Sequence, residues 1–350
     1  MSKSILSTLI LASLASATFA ADAYKWSVQY IVDTSQSVFG RAQKVYPRNN
    51  RGLALSPDAK YLYAGYNHSW DGRGEIRKIA VDVSDYERAT VAVLPGLTGK
   101  SIATDDKGRV YVSNTNDVEV FDADLEQRQI KIITGTADGI AVARDGGSLV
   151  LFTSDRGDAV IRRWVLTEKD DLVVGAKPAG FDGTGVFKVP GGLDLRGLAV
   201  DSAGNIWVCD HVANKVFKIR KDGKDYKSVE VKNAMYLGLD GNRVLVTRGL
   251  DRTITVMDSD LAIIGNLNVP WEELEISPFG NNRGGSLSGI AVAPGKGFFV
   301  ANEGGQTGNQ VSTYGKADDQ ADIVDGKWVK DGHNDDNDPI LKATAVTVGP

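Results

Sequence analysis

The chain has 350 residues, 40 basic and 45 acidic, for a formal net charge of −5, which excludes nucleic-acid binding by overall charge. Cys209 is the only cysteine, so an internal disulfide is excluded and a chain of this size must be held by its core.

The first element is a targeting signal. Lys3 precedes an apolar run over 5–14 and then Ala15-Ser-Ala-Thr-Phe-Ala20, the pattern of a secretory signal peptide and too short to span a bilayer. Residues 1–20 are expected to be removed, by cleavage after Ala20 or Ala23, leaving one soluble domain over 24–350 in a periplasm or outside the cell. The alternative, a retained N-terminal anchor, would need the apolar run to continue past Ala23, and it does not. Residues 26–32 then alternate apolar and polar side chains like a strand. In a closed ring of sheets this segment could complete the last sheet, and the run at 340–348 competes for that role.

From about residue 50 a phrase recurs. A small residue opens an alternating apolar run, a Gly/Asn/Asp turn follows, and a second apolar run ends in a polar residue, which describes a two-stranded hairpin. Copies start at Gly52, Ser101, Gly139, Gly197, Tyr236 and Gly289, roughly 40 to 60 residues apart, the spacing of four short strands plus loops. Third strands are predicted at 75–81, 117–121, 160–165, 215–219 and 253–257, and fourth, weaker runs at 129–133 and 228–231. One such sheet cannot bury both faces, so the units must stack radially. The expected fold is all-β, a six-bladed β-propeller of four-stranded antiparallel blades. An array of two-sheet sandwiches does not require a repeated inner hairpin at this period.

The copy Gly197-Leu-Ala-Val-Asp-Ser-Ala-Gly-Asn-Ile-Trp-Val-Cys-Asp210, followed by Asn214-Lys-Val-Phe, resembles the NHL repeat and the senescence-marker/gluconolactonase group of six-bladed propellers, with weaker versions from about residue 50 to 305. These propellers host lactonases, lyases and binding proteins alike. The resemblance implies, for the lactonases, a divalent metal near the axis held by Glu, Asn and Asp residues that precede the first residues of particular copies. The matching positions here read Arg51, Lys100, Asp138, Arg196, Met235 and Ser288, and only Asp138 agrees. A Lys or Arg in place of a carboxylate turns attraction to a dication into repulsion, on the order of 4 kcal/mol per pair of unit charges at 4 Å for an effective dielectric near 20.

Chain direction alone places the start of each first strand and the end of each second strand on one face. Strand ends there carry Tyr66, Asp155, Asp210, His211, Arg248 and Glu303. The candidate ligand-binding set is Arg51, Lys100, Asp138, Arg196, Asp210, His211, Arg248 and Glu303, a partly basic ring suited to an anion. In the alternative, these cations pair with Asp138, Asp155, Asp210 and Glu303 and serve only to neutralise the pore mouth. Candidates for acid–base catalysis are His211 and Tyr66, and Tyr66 with His68 and Trp70 could form an aromatic wall for a sugar or peptide. No GxSxG, HExxH or Walker sequence occurs. Cys209, within an apolar strand, reads as a buried inert thiol.

Insertions at 167–193 and 265–287 run from an outer strand into the next inner one and are expected to overhang this face. The acidic C-terminal segment 315–339 contains Asp331-Gly-His-Asn-Asp-Asp-Asn-Asp-Pro339, calcium-like in composition but without EF-hand spacing. Metal candidates are therefore Asp138, Asp331 and Asp335, with Ca2+ as the ion. The leading functional expectation is a secreted or periplasmic protein that binds a small anionic molecule, a glycan or a partner protein. The alternative is a metal-dependent lactonase or hydrolase, or a lyase, working on the same face.

Overall fold

The computed structural model describes residues 24–29, 50–68, 73–81, 90–251, 253–268, 286–294, 297–303, 311–316, 329–330 and 341–342. Strand β1 (Tyr24–Gln29) comes first. The first sheet follows as β2 (Asn50–Leu55), β3 (Tyr61–His68), β4 (Arg73–Ala80) and β5 (Thr90–Pro95). The second is β6 (Ile102–Thr104), β7 (Val110–Ser113), β8 (Asp117–Phe121) and β9 (Arg128–Ile133). The third contains β10 (Gly139–Asp145), β11 (Ser148–Asp155), β12 (Val160–Lys169), β13 (Leu172–Pro178) and β14 (Val186–Lys188). The fourth is β15 (Leu195–Val200), β16 (Ile206–Asp210), β17 (Lys215–Ile219) and β18 (Tyr226–Glu230). The fifth is β19 (Ala234–Asp240), β20 (Arg243–Arg248), β21 (Thr253–Asp258) and β22 (Ile263–Asn268). The last sheet is built on β23 (Ser286–Ala293), β24 (Gly297–Glu303) and β25 (Val311–Lys316).

Each sheet is an antiparallel meander, so the fold is an all-β propeller. Five sheets have the expected four strands, not six: the third has five. The reason lies in β12, which is long enough to pair twice. Its end pairs with β13 and its start, Val160–Arg162, pairs with β14, a strand recruited from the insertion expected to be a loop. The last sheet is completed by β1, which runs antiparallel to β25 from Tyr24 opposite Lys316 to Gln29 opposite Val311. That decides the choice between the two terminal segments. The C-terminal stretch instead contributes β27 (Leu341–Lys342), paired with β26 (Val329–Lys330) outside the ring.

The innermost strands neighbour one another in the order β2, β6, β10, β15, β19, β23 and back to β2. An apolar cluster fills each junction between successive sheets. Leu62, Tyr66 and Phe299, for example, join the first sheet to the last, and Trp207, Val216 and Val246 join the fourth to the fifth. Alternating side chains on both faces of every sheet are thereby buried, the condition that a single meander could not meet. Among the described residues no helix is long and apolar enough to cross a membrane.

The repeat's opening glycines are needed for proximity. A Cβ on Gly139 would overlap the Arg196 carbonyl of the next inner strand, and one on Gly289 the Arg51 carbonyl. At four of these starts the pairing register slips: between Asn50 and Leu53, Leu195 and Leu198, Ala234 and Leu237, and Leu287 and Ile290. Such bulges re-aim side chains; the inner strands after Lys100 and Asp138 pair without one.

Candidate functional site at the axial face

Of the residues that precede the repeats, Lys100 and Asp138 lie side by side, while Arg196 turns to Asp194. Asp138 is 2% exposed and Arg196 8%. The Lys100 ammonium lies 4.0 Å from Asp138 Oδ1, too far for a hydrogen bond. Asp138 Oδ2 has no hydrogen-bond partner among the described residues. Arg196 donates from Nε and Nη2 to Asp194 Oδ2 at 3.1 and 2.9 Å, and Arg156 reaches Asp194 Oδ1 at 3.0 Å. Asp194 and Arg156 were missed by the sequence reading. Asp194 had a usable signal, since it stands two residues before Arg196 and so on the same side of an extended chain. Arg51 is half-buried.

The carboxylates at the second-strand ends mostly organise loops. Asp210 is fully buried and accepts from the main-chain N–H groups of Leu193, Asp194 and Ala213 at 2.6, 3.1 and 2.8 Å. Asp155 accepts from the N–H groups of Gly157 and Asp158 and from Arg162 Nη1 at 2.7 Å. Arg248 donates Nε–H to the Lys232 carbonyl at 3.0 Å and pairs with the Asp251 carboxylate. His211 is half-buried; its N–H donates to the Asp194 carbonyl at 3.0 Å, and its Nδ1 is enclosed without a hydrogen-bond partner among the described residues.

Tyr66 belongs to the core between the first and last sheets. The Arg77 guanidinium lies 5.5 Å from its ring centre, and burial pushes the phenol pKa up to about 12. Glu303 ends β24 opposite Ser286, with its side chain outside the described residues, as is that of His68. Trp70, Asp331 and Asp335 also lie outside them.

Ser154 and Thr247, the residues just before Asp155 and Arg248, are buried staples. Ser154 Oγ accepts from Gly139 N–H at 2.9 Å and donates to the Arg196 carbonyl at 2.5 Å. Thr247 Oγ1 accepts from Tyr236 N–H at 3.0 Å and donates to the Ser288 carbonyl at 2.8 Å. Each hydroxyl thus ties the start of its own inner strand to the next sheet. Cys209 occupies the same register in the fourth sheet, between residues paired with Leu195 and Leu198. It is fully buried, and desolvation pushes its pKa well up, so it is an unreactive thiol.

Tyr236 is the one large side chain at a repeat start. Its hydroxyl donates toward the Lys100 carbonyl at 3.2 Å and lies 3.4 Å from the Asp138 carbonyl. Lys100 leads into β6, three strands from β19 in either direction round the ring. A phenol rooted on β19 that reaches Lys100 must therefore span the channel, and it passes Gly197, where a Cβ would strike the Tyr236 ring.

The divalent metal implied by the lactonase resemblance does not fit these groups. Among the described residues no three His, Cys, Asp or Glu side chains stand close enough to hold an ion. Asp138, the one carboxylate at a matching position, faces an ammonium instead.

No protein-family model matches the sequence, and a search of curated proteins found no match. Solved structures do resemble it. A streptogramin B lyase is 11% identical with a TM-score of 0.52, over 85% of this chain and 99% of the lyase. A catalytically inactive virginiamycin B lyase from Staphylococcus aureus, solved with quinupristin, is 12% identical with a TM-score of 0.54, over 83% and 99%. A protein described as a gluconolactonase-family member is 11% identical with a TM-score of 0.51, over 84% and 94%. At these identities the likeness establishes the propeller fold.

Proposed function

We propose that the protein is an exported six-bladed propeller, the five-stranded sheet being its third blade, that binds a small hydroxylated anion at the axial face. The observation that carries this reading is the pairing of a buried carboxylate oxygen without a partner, Asp138 Oδ2, with an ammonium held just beyond hydrogen-bonding distance. An unsatisfied buried acceptor costs about 1–3 kcal/mol, more when charged. A ligand hydroxyl donating to Asp138 recovers that cost while its anionic group meets Lys100. Arg196 is already committed to Asp194 and Arg248 to Asp251, which leaves them to orient the walls of the site and narrows the basic ring expected from the sequence to its Lys100 side.

The second reading is an enzyme on the same face, favoured by the enclosed His211 Nδ1 and by the lyase and gluconolactonase described among the structural neighbours. In that reading His211 moves a proton on an anionic substrate. The metal-dependent form has less support, because the required carboxylates are lacking at the matching positions.

Binding of gluconate and phosphate, followed by calorimetry and thermal shift, separates these readings. Native-state binding raises the melting temperature. Lys100→Met is expected to weaken gluconate by about 1.5–3 kcal/mol, the range for a charge-assisted hydrogen bond, and Asp138→Asn to weaken gluconate more than phosphate. Anions without effect, together with strong stabilisation by calcium that Asp138→Ala removes, would replace the binding protein with the metal enzyme.

A further inference from the structure

Lys100 and Asp138 each lead into an inner strand, and each is suspended from its own sheet by its main-chain N–H. Lys100 N–H donates to the Ser113 carbonyl at 3.3 Å and Asp138 N–H to the Ser154 carbonyl at 3.0 Å. Their carbonyls turn to a single group. The Tyr236 hydroxyl lies 3.2 Å from the Lys100 carbonyl and 3.4 Å from that of Asp138, so one phenol proton serves two main-chain acceptors, the nearer one more strongly. Tyr236 is itself buried, with its N–H donated to Thr247 Oγ1. A second tie joins the same two strands, since Ser101 Oγ accepts from Ile140 N–H at 3.2 Å.

We infer that Tyr236 is a positioning residue for the Lys100/Asp138 site: from the far side of the propeller, its hydroxyl holds the main chain that carries both ligand-facing side chains. This role rests on the reading of that pair as the ligand site. Gly52, Ser101, Gly139, Gly197 and Gly289 occupy the matching place in the other repeats, and none of these side chains is long enough to cross between opposite strands.

The two ligand-facing side chains depend on this hold unequally. Asp138 has a single methylene between main chain and carboxylate, so its unpartnered Oδ2 goes where residue 138 goes. Lys100 has a flexible four-carbon stem, and its ammonium re-aims by rotation when its main chain shifts. Tyr236 therefore acts on the acceptance of a ligand hydroxyl by Asp138 more than on the attraction of an anion by Lys100.

The test is a pair of double-mutant cycles on gluconate binding, measured by calorimetry on the full chain at one pH and salt concentration. Tyr236→Phe keeps the aromatic ring and leaves the Ser101 tie in place. In the native background it is expected to weaken gluconate by about two- to tenfold, the range for one neutral hydrogen bond. The same change has the full effect in Lys100→Met and little further effect in Asp138→Ala. Placing 4-aminophenylalanine at position 236, which restores a donor on the ring, recovers most of the native affinity. An equal loss in all three backgrounds would reveal general loosening and overturn the proposal, as would no loss on Tyr236→Phe or no recovery with the amine. Gluconate binding that needs Asp138 but ignores Tyr236→Phe sinks this role alone. A native protein that does not bind gluconate removes the ligand site and, with it, the role of Tyr236.

Discussion

At the residue scale, the second-strand hydroxyls show how one atom can serve two sheets. Ser154 Oγ satisfies an N–H on its own sheet and a carbonyl on the next, in a junction closed to water. Ser154→Ala leaves both main-chain groups without this partner and is expected to cost about 1–3 kcal/mol, read as a lowered urea midpoint at unchanged slope. An unchanged midpoint would mean that water or a shifted backbone replaces the hydroxyl. The same logic explains the lone cysteine: Cys209 fills the staple register with sulfur, the size of a hydroxyl group or slightly larger and a weak hydrogen-bonding group.

At the scale of elements, β12 is the strand that most departs from the repeat. Its added length recruits β14, and its end places Glu168 against the second sheet. There the Glu168 carboxylate accepts from Arg109 Nη2 at 2.7 Å and pairs with Arg144, while Asp105 accepts from Arg109 Nε at 2.6 Å and from the Tyr111 hydroxyl at 2.9 Å. The hydrogen bond from Arg144, seconded by that from Arg109, lowers the Glu168 pKa to about 2. A carboxylate whose pKa is lower folded than unfolded adds stability above its unfolded pKa, near 4.3, and loses that contribution as pH falls through its folded value. Native protein should therefore melt above Glu168→Gln at pH 6, with the gap closing between about pH 4 and pH 2. A gap independent of pH over that window would assign the difference to packing.

At the scale of the whole molecule, the ring is closed by its N-terminus. β1 begins at Tyr24, directly after the expected cleavage sites, so processing after Ala20 or Ala23 leaves the closing strand intact. N-terminal sequencing of protein from the periplasm or medium should begin at Ala21 or Tyr24. A chain starting at residue 30 lacks the outer strand of the last sheet and exposes the β25 edge, a template for association. It is expected to melt lower and to self-associate on size-exclusion chromatography, and a monomer of native stability would show that β1 is dispensable.

The alternation of apolar residues and the spacing of the repeats were enough to read a propeller of antiparallel meanders, because strand period and turn chemistry are local properties of the chain. That Lys100 and Asp138 lie near one another was also legible, since both precede the first strands of successive repeats. Three things were decided only by the tertiary structure: which cation meets which carboxylate, which hydroxyls are buried between sheets, and the reach of Tyr236 across the channel. Asp194, rather than Asp155 or Asp210, partners Arg196, and Tyr66 lies in a junction instead of on the rim. Each depends on contacts between residues far apart in the chain, where the bulges, the staggering of neighbouring sheets and the closure of the ring set distances that no local pattern encodes.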